Sequence, residues 1–133
     1  MTILDFFAAV TLAGAVIYVL ASAAKGGELR LPWIVPAILS LAFLAFSLVT
    51  IAQEGLFGFW ANHTEDLWGL QVWMDLLFAV AISWTFLVPE ARKQDMAILP
   101  WGILVVCTAS IGLWAMMARV LYLRERSAPA LPA

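Results

Sequence analysis

AILPWGILVVCTASIGLWAMMARVLY, residues 97–122, carries one charge, Arg119, near its end. Wound as one α-helix at about 1.5 Å per residue it would extend roughly 39 Å, enough to cross a hydrocarbon core of about 30 Å. Lipid offers no partner to backbone N–H and C=O groups, so a segment that crosses it must be helical. Three further runs read the same way: residues 3–24, 32–53 and 67–89. The alternating segments of about ten residues that mark a transmembrane β-barrel are absent. These runs predict an all-α fold, a four-transmembrane-helix bundle with antiparallel up-down connectivity, forming a single integral membrane domain over residues 1–133.

Composition supports the membrane assignment independently. Of 133 residues, 65% are hydrophobic and 12% charged, against about 45–50% and about 25% in soluble domains. Mean hydropathy is +0.98. A water-soluble globule of this size would lack the polar residues needed to cover its surface. A net charge of -2 and a pI near 5.2 give no basic patch, which excludes nucleic acid as a partner. Cys107 is the single cysteine, so neither an intrachain disulfide nor a cysteine-based metal cluster can form, and in ILVVCTAS it reads as a small packing residue.

The junctions between the runs fit this division. KGGELRLP at 25–32 and PEARKQDM at 89–96 concentrate glycine, proline and charge, which a lipid-facing helix interior tolerates poorly, and both read as turns. Trp33, Trp60, Trp68 and Trp101 fall near helix ends, where an amphipathic ring settles at headgroup level. Trp73, Trp84 and Trp114 lie deeper and read as packing between helices. Small residues (Ala9, Ala13 and Gly14 in the first run, Ala109, Ser110 and Gly112 in the last) offer faces for close helix approach. ASA at 21–23 resembles a signal-peptidase site, but no Lys or Arg precedes the first run and Asp5 stands there, so that helix is read as mature structure.

Orientation follows from Lys and Arg placement. With four crossings, Lys25, Arg30, Arg92 and Lys93 face Arg119, Arg124 and Arg126 across the membrane. This narrow excess, with the absence of Lys and Arg from residues 54–66, places both termini outside the cytoplasm.

Chemistry-bearing residues concentrate in GFWANHTEDLWGLQVWMDLL, residues 58–77. At about 100° per residue, Gln71, Asp75, Ala79 and Ser83 form one stripe, which should face protein. Asp75 lies roughly 12 Å along a helix starting at Leu67. A charged carboxylate at such depth costs about 2.5–3.5 kcal/mol on insertion scales, so it requires a proton or a partner. If residues 67–89 and 97–122 form a straight antiparallel hairpin, Arg119 lies on the side of Asp75, and the two side chains lean toward each other. The expected arrangement is a buried polar network of Asp75, Arg119, Gln71 and Glu65, with Asp75 and Arg119 clasped directly or through one polar group.

A sharper alternative gathers Glu54, His63, Glu65, Asp66 and Asp75 around a half-buried pocket, where a desolvated carboxyl serves as a proton donor. A metal site has little basis, because one His among carboxylates matches no ligand spacing such as HExxH or paired cysteines. No cofactor is implied. NHT at 62–64 matches the glycosylation sequon but lies too close to the third run to carry weight. Phe57, Phe59 and Trp60 are suited to a short segment lying flat at the interface.

The second half, residues 59–126, resembles an uncharacterised bacterial family of small multi-helix membrane proteins catalogued as a domain of unknown function. The resemblance rests on Asp75 within a helix, Trp84 to Val88, the turn Glu90-Ala91-Arg92 with Met96 after it, Trp101, Gly112, and the closing Leu121 to Arg126. A Leu-Pro pair commonly precedes the terminal run in that family; Ala118 and Arg119 stand there in this chain. The resemblance implies a bacterial inner-membrane setting and carries no activity with it.

Two functions compete. One is a non-enzymatic accessory or oligomerising subunit whose partners are the bilayer and itself or a larger membrane complex. The other is a membrane enzyme acting on an isoprenoid or other lipid, with Asp75 or Glu54 as general acid, His63 as a further catalytic candidate, and tryptophan faces stabilising a developing cation. A transporter or pore has least support, since the first, second and last runs offer only Ser, Thr and Tyr in their middles.

Overall fold

The structure, a computed structural model, describes residues 2–24 and 31–127. The chain divides into two units, residues 1–31 and residues 32–133. The first unit contains α1 (Ile3–Ala24). Its entry is a reciprocal cap: the Thr2 N–H donates to Asp5 Oδ2 at 2.7 Å and the Asp5 N–H to Thr2 Oγ1 at 3.1 Å. Two of the four orphan N–H groups at the helix start are thereby satisfied, which explains an acid at the head of an apolar run.

The second unit contains α2 (Ile34–Glu54), α3 (Gly58–Thr64), α4 (Leu67–Arg92), α5 (Ile98–Thr108) and α6 (Ser110–Ser127). No strand occurs among the described residues. Pro36 and Pro100 fall in the first turns of α2 and α5, where the missing N–H has no helical partner to lose, whereas Pro89 lies inside α4 near its end, so the turn expected at 89–96 begins only after Arg92.

The expected four-helix bundle is met in part. The protein is all-helical, and α1, α2 and α4 are long and apolar enough to cross a membrane. The fourth run is not one helix. It breaks at Ala109 into α5, whose 11 residues extend only about 16 Å, and α6, which turns back. At the break Ala109 has φ 47° and ψ -113°, and its N–H donates to Val105 O at 2.7 Å.

Gly112 permits the reversal. A Cβ there would stand 2.9 Å from both the Cα and the N of Val105 and 3.0 Å from the carbonyl carbon of Leu104, so only glycine lets the start of α6 lie on the backbone of α5. Thr108, Ala109, Ser110 and Gly112 are also the small residues that membrane helices use for packing. Their presence within the run therefore did not by itself announce a break.

Contacts fix the direction of α6. The Ser40 hydroxyl on α2 donates to Ile111 O at 3.0 Å, while Trp33, just before α2, sets its ring edge-on to Tyr122 with centroids 5.3 Å apart. Late residues of α6 thus meet the start of α2, and the two helices are antiparallel. The core is Ala91, Met116 and Val120, with Trp84, Leu87, Val88, Met96, Ile98 and Trp101 packed against it. Thus α6 runs parallel to α4 and returns to the end of α4, bridging α2 and α4.

The turn from α4 into α5 is built for this packing. Asp95 takes φ 54°; its N–H donates to Arg92 O and the Met96 N–H to Ala91 O, each at 3.1 Å. This is a Schellman termination with Asp95 in the left-handed position, and its apolar closing contact is Met96 against the Ala91 cluster. The unit consequently has two unlike ends. One holds the start of α2, the 93–97 turn and the end of α6; we call it the arginine end. The other holds the end of α2, α3 and the start of α4, and is called the α3 end.

Candidate functional site

The α3 end carries most of the candidate residues, and the structure gives several of them local work. Asp66 is the N-cap of α4: its backbone is extended, and its Oδ1 accepts from the Gly69 N–H at 2.7 Å. Gly69 is itself required, since a Cβ there would lie 2.5 Å from Asn62 O, so α3 can close onto the first turn of α4. His63 Nδ1 donates to Phe59 O at 2.6 Å, and its ring leans on Trp73 with centroids 5.1 Å apart. Phe59 stacks on the same indole at 5.8 Å. Trp73 is thus the post against which the short helix α3 rests.

The expected pocket of acids is not assembled. Glu54 closes α2, Glu65 lies in the turn after α3, Asp66 caps α4, and Asp75 stands further along α4; all four are exposed. Among the described residues no hydrogen bond or ion pair joins any two of Glu54, His63, Glu65, Asp66 and Asp75. Nor do three metal-binding side chains come together among the described residues.

Asp75 stands about 200° around the helix from Trp73, on the side away from the packed residues Trp73, Trp84 and Ala91. With Gln71, Met74 and Phe78 it lines a shallow groove on the surface of α4. Both Gln71 and Asp75 are exposed. The stripe expected to face protein thus faces outward from this unit.

The expected Asp75–Arg119 clasp is also not formed, and the chain reversal at Ala109 is the reason. A straight last helix would carry Arg119 toward the α3 end, but α6 carries it back to the arginine end. There the Arg119 guanidinium lies 5.6 Å from the Tyr122 ring centroid, and that of Arg126 lies over the same ring at 4.8 Å. Asp75 is about 25 Å along α4 from Arg92, so neither Gln71 nor Glu65 can relay a contact to Arg119.

The arginine end is a site that sequence reasoning missed. Lys93 pairs with Glu90 at 2.5 Å. Tyr122, ringed by Arg119, Arg126 and Trp33, forms the aromatic and cationic cluster expected at headgroup level. Helical spacing alone sets Arg119 and Arg126 beside Tyr122 and Lys93 beside Glu90; the reversal of α6 brings the first group to Trp33 and to the end of α4, and the run 97–122 contains no proline at the bend to mark it. Trp114 lines a second shallow groove with Ser83, Leu87 and Met117 beside the reversal. Trp84 packs against the Ala91, Met116 and Val120 core, and a Cβ added at Gly102 would lie 3.4 Å from its ring, so this deeper tryptophan does serve packing between helices.

This geometry defines an α-helical protein with three helices long and apolar enough to cross a membrane and, within the 32–133 unit, a short helix α3 and a helical hairpin of α5 and α6 packed on α2 and α4. No family model, curated protein or solved structure matches the chain.

Proposed function

We propose that the protein is a non-enzymatic accessory subunit of a bacterial inner membrane that works by assembling with other membrane helices. One observation carries the reading: Gln71 and Asp75 are exposed on the part of α4 that is suited to span the membrane. Intramembrane ionisable groups are costly when left to lipid and are retained for function. The grooves on α4 are open and shallow, which favours contact with another helix over enclosure of a lipid substrate by Asp75 or Glu54.

The hairpin of α5 and α6 also supports an orientation. Within the 32–133 unit the arginine end holds Arg92, Lys93, Arg119, Arg124 and Arg126, and the α3 end holds no Lys or Arg. The positive-inside rule assigns the arginine end to the cytoplasm and α3 to the outside, and a crossing by α1 puts the N-terminus outside as well. In this proposal the end of α6 is cytoplasmic, where four crossings put both termini outside.

Native mass spectrometry on membranes solubilised in mild detergent tests the assignment. The expected result is a complex of defined stoichiometry. A protein found solely as a monomer that turns over an isoprenoid lipid would overturn it.

A further inference from the structure

The exposed face of α4 near the α3 end calls for a particular kind of partner. Asp75 lies roughly 12 Å along α4 from Leu67, inside the apolar segment, and Gln71 lies one turn nearer the α3 end. No hydrogen bond or ion pair engages either side chain among the described residues. All five Lys and Arg residues of the 32–133 unit belong to the arginine end, and residues 2–24 include no Lys or Arg.

A second copy in the same orientation repeats this distribution. It brings to the depth of Asp75 another Asp75, a like charge that opposes docking. While Asp75 is ionised, complementary charge at that depth is supplied by a different chain.

We infer that the Gln71–Asp75 face docks a transmembrane helix of another membrane protein, one carrying a single Arg or Lys in the half of the membrane nearer α3. This rests on the proposed assembling role and names the chemistry of its partner. The carboxylate pairs with the incoming cation in a medium that screens poorly, so each removes the other's insertion cost. Gln71, one turn away, supplies a donor and an acceptor to the same neighbour. Met74 and Phe78 flank the pair with apolar surface on which the partner helix rests. The charge thus selects the partner and its depth, and the apolar rim supplies the packing.

The test uses the full chain reconstituted in phosphatidylcholine vesicles and a fluorescent leucine-alanine transmembrane peptide with one Arg about 12 Å from its end. A matched peptide has Leu in place of Arg. Energy transfer from labelled protein to peptide reads association. The Arg peptide should bind at least about tenfold more tightly than the Leu peptide, and this preference should vanish in Asp75→Asn. Asp75→Arg should instead prefer a peptide bearing Glu at the same position. Far-UV circular dichroism of each reconstituted variant verifies retained helix, and Arg119→Gln, at the other end, should leave the preference intact.

Equal binding of the Arg and Leu peptides to the native chain would overturn the proposal. So would energy transfer between two copies of the chain that is lost in Asp75→Asn, which would make a second copy the occupant. A defined native complex that survives Asp75→Asn would sink this inference while leaving the assembling role standing; the absence of any complex would sink the assembling role itself.

Discussion

Two small residues decide the course of the last third of the chain. Ala109 holds φ 47° and ψ -113°, a sparsely populated conformation that costs a non-glycine residue about 1–3 kcal/mol. Ala109→Gly removes the Cβ, and in detergent-solubilised protein it should raise stability by about 1 kcal/mol, read as a higher midpoint of thermal unfolding. Gly112→Ala works the other way, since its Cβ would meet Val105 backbone atoms at 2.9 Å, and backbone cannot swing aside as a side chain would. It should cost about 1–3 kcal/mol. Were residues 97–122 one straight helix, the signs would reverse: Ala109→Gly would weaken it by about 1 kcal/mol and Gly112→Ala would strengthen it. The pair of variants therefore separates the two folds. The same two residues show why the sequence alone misplaces the bend: in a membrane helix alanine and glycine serve packing as readily as turning, and only backbone proximity between α5 and α6 distinguishes the uses.

At the scale of elements, the helices were legible wherever apolar length and flanking chemistry agreed. The runs 3–24, 32–53 and 67–89 match α1, α2 and α4 closely, since each ends in glycine, proline or charge that lipid excludes. The segment around Phe57, Phe59 and Trp60 is the short helix α3 with Phe57 as its N-cap. Helix contacts were less legible, because they depend on which way α6 runs. Its junction with α2 shows this: Ser40, the one buried polar residue among the described residues, donates across to Ile111 O. That carbonyl lies in the first turn of α6, beside the strained reversal, so the hydroxyl ties the hairpin to a spanning helix. Ser40→Ala should lower stability by about 0.6–1.7 kcal/mol, the range of interhelical hydrogen bonds within membranes. Steric trapping or thermal unfolding in detergent micelles measures it, and no change would mean that packing around Pro36 and Ser40 holds the contact unaided. Ser47, also on α2 but nearer the α3 end, provides the matched control.

For the whole molecule, the number of crossings decides which residues can ever meet. The candidate Asp75 was legible because an acid inside an apolar run is conspicuous in any fold; its expected partner was not, because pairing Asp75 with Arg119 assumed a straight last helix. Once α6 returns, the five cations of the 32–133 unit gather at one end and the acids Glu54, Glu65 and Asp66 remain at the other, a polarity of that unit that a straight last helix would have cancelled. Impermeant maleimide labelling reads this directly. In a Cys107→Ser background, single replacements Thr2→Cys, Thr64→Cys and Ser127→Cys report the N-terminus, the α3 end and the C-terminus. The fold predicts that intact cells lacking the outer membrane barrier label Thr2→Cys and Thr64→Cys, and that Ser127→Cys reacts only after the membrane is opened. A four-crossing chain would place Thr64→Cys and Ser127→Cys on the same side, so equal labelling of those two before opening would return the last run to a single spanning helix. It would also restore the depth match between Arg119 and Asp75 and leave the exposed carboxylate no need of a foreign cation. The topology of the hairpin and the chemistry of the partner thus stand on one geometric fact, the direction in which α6 leaves Ala109.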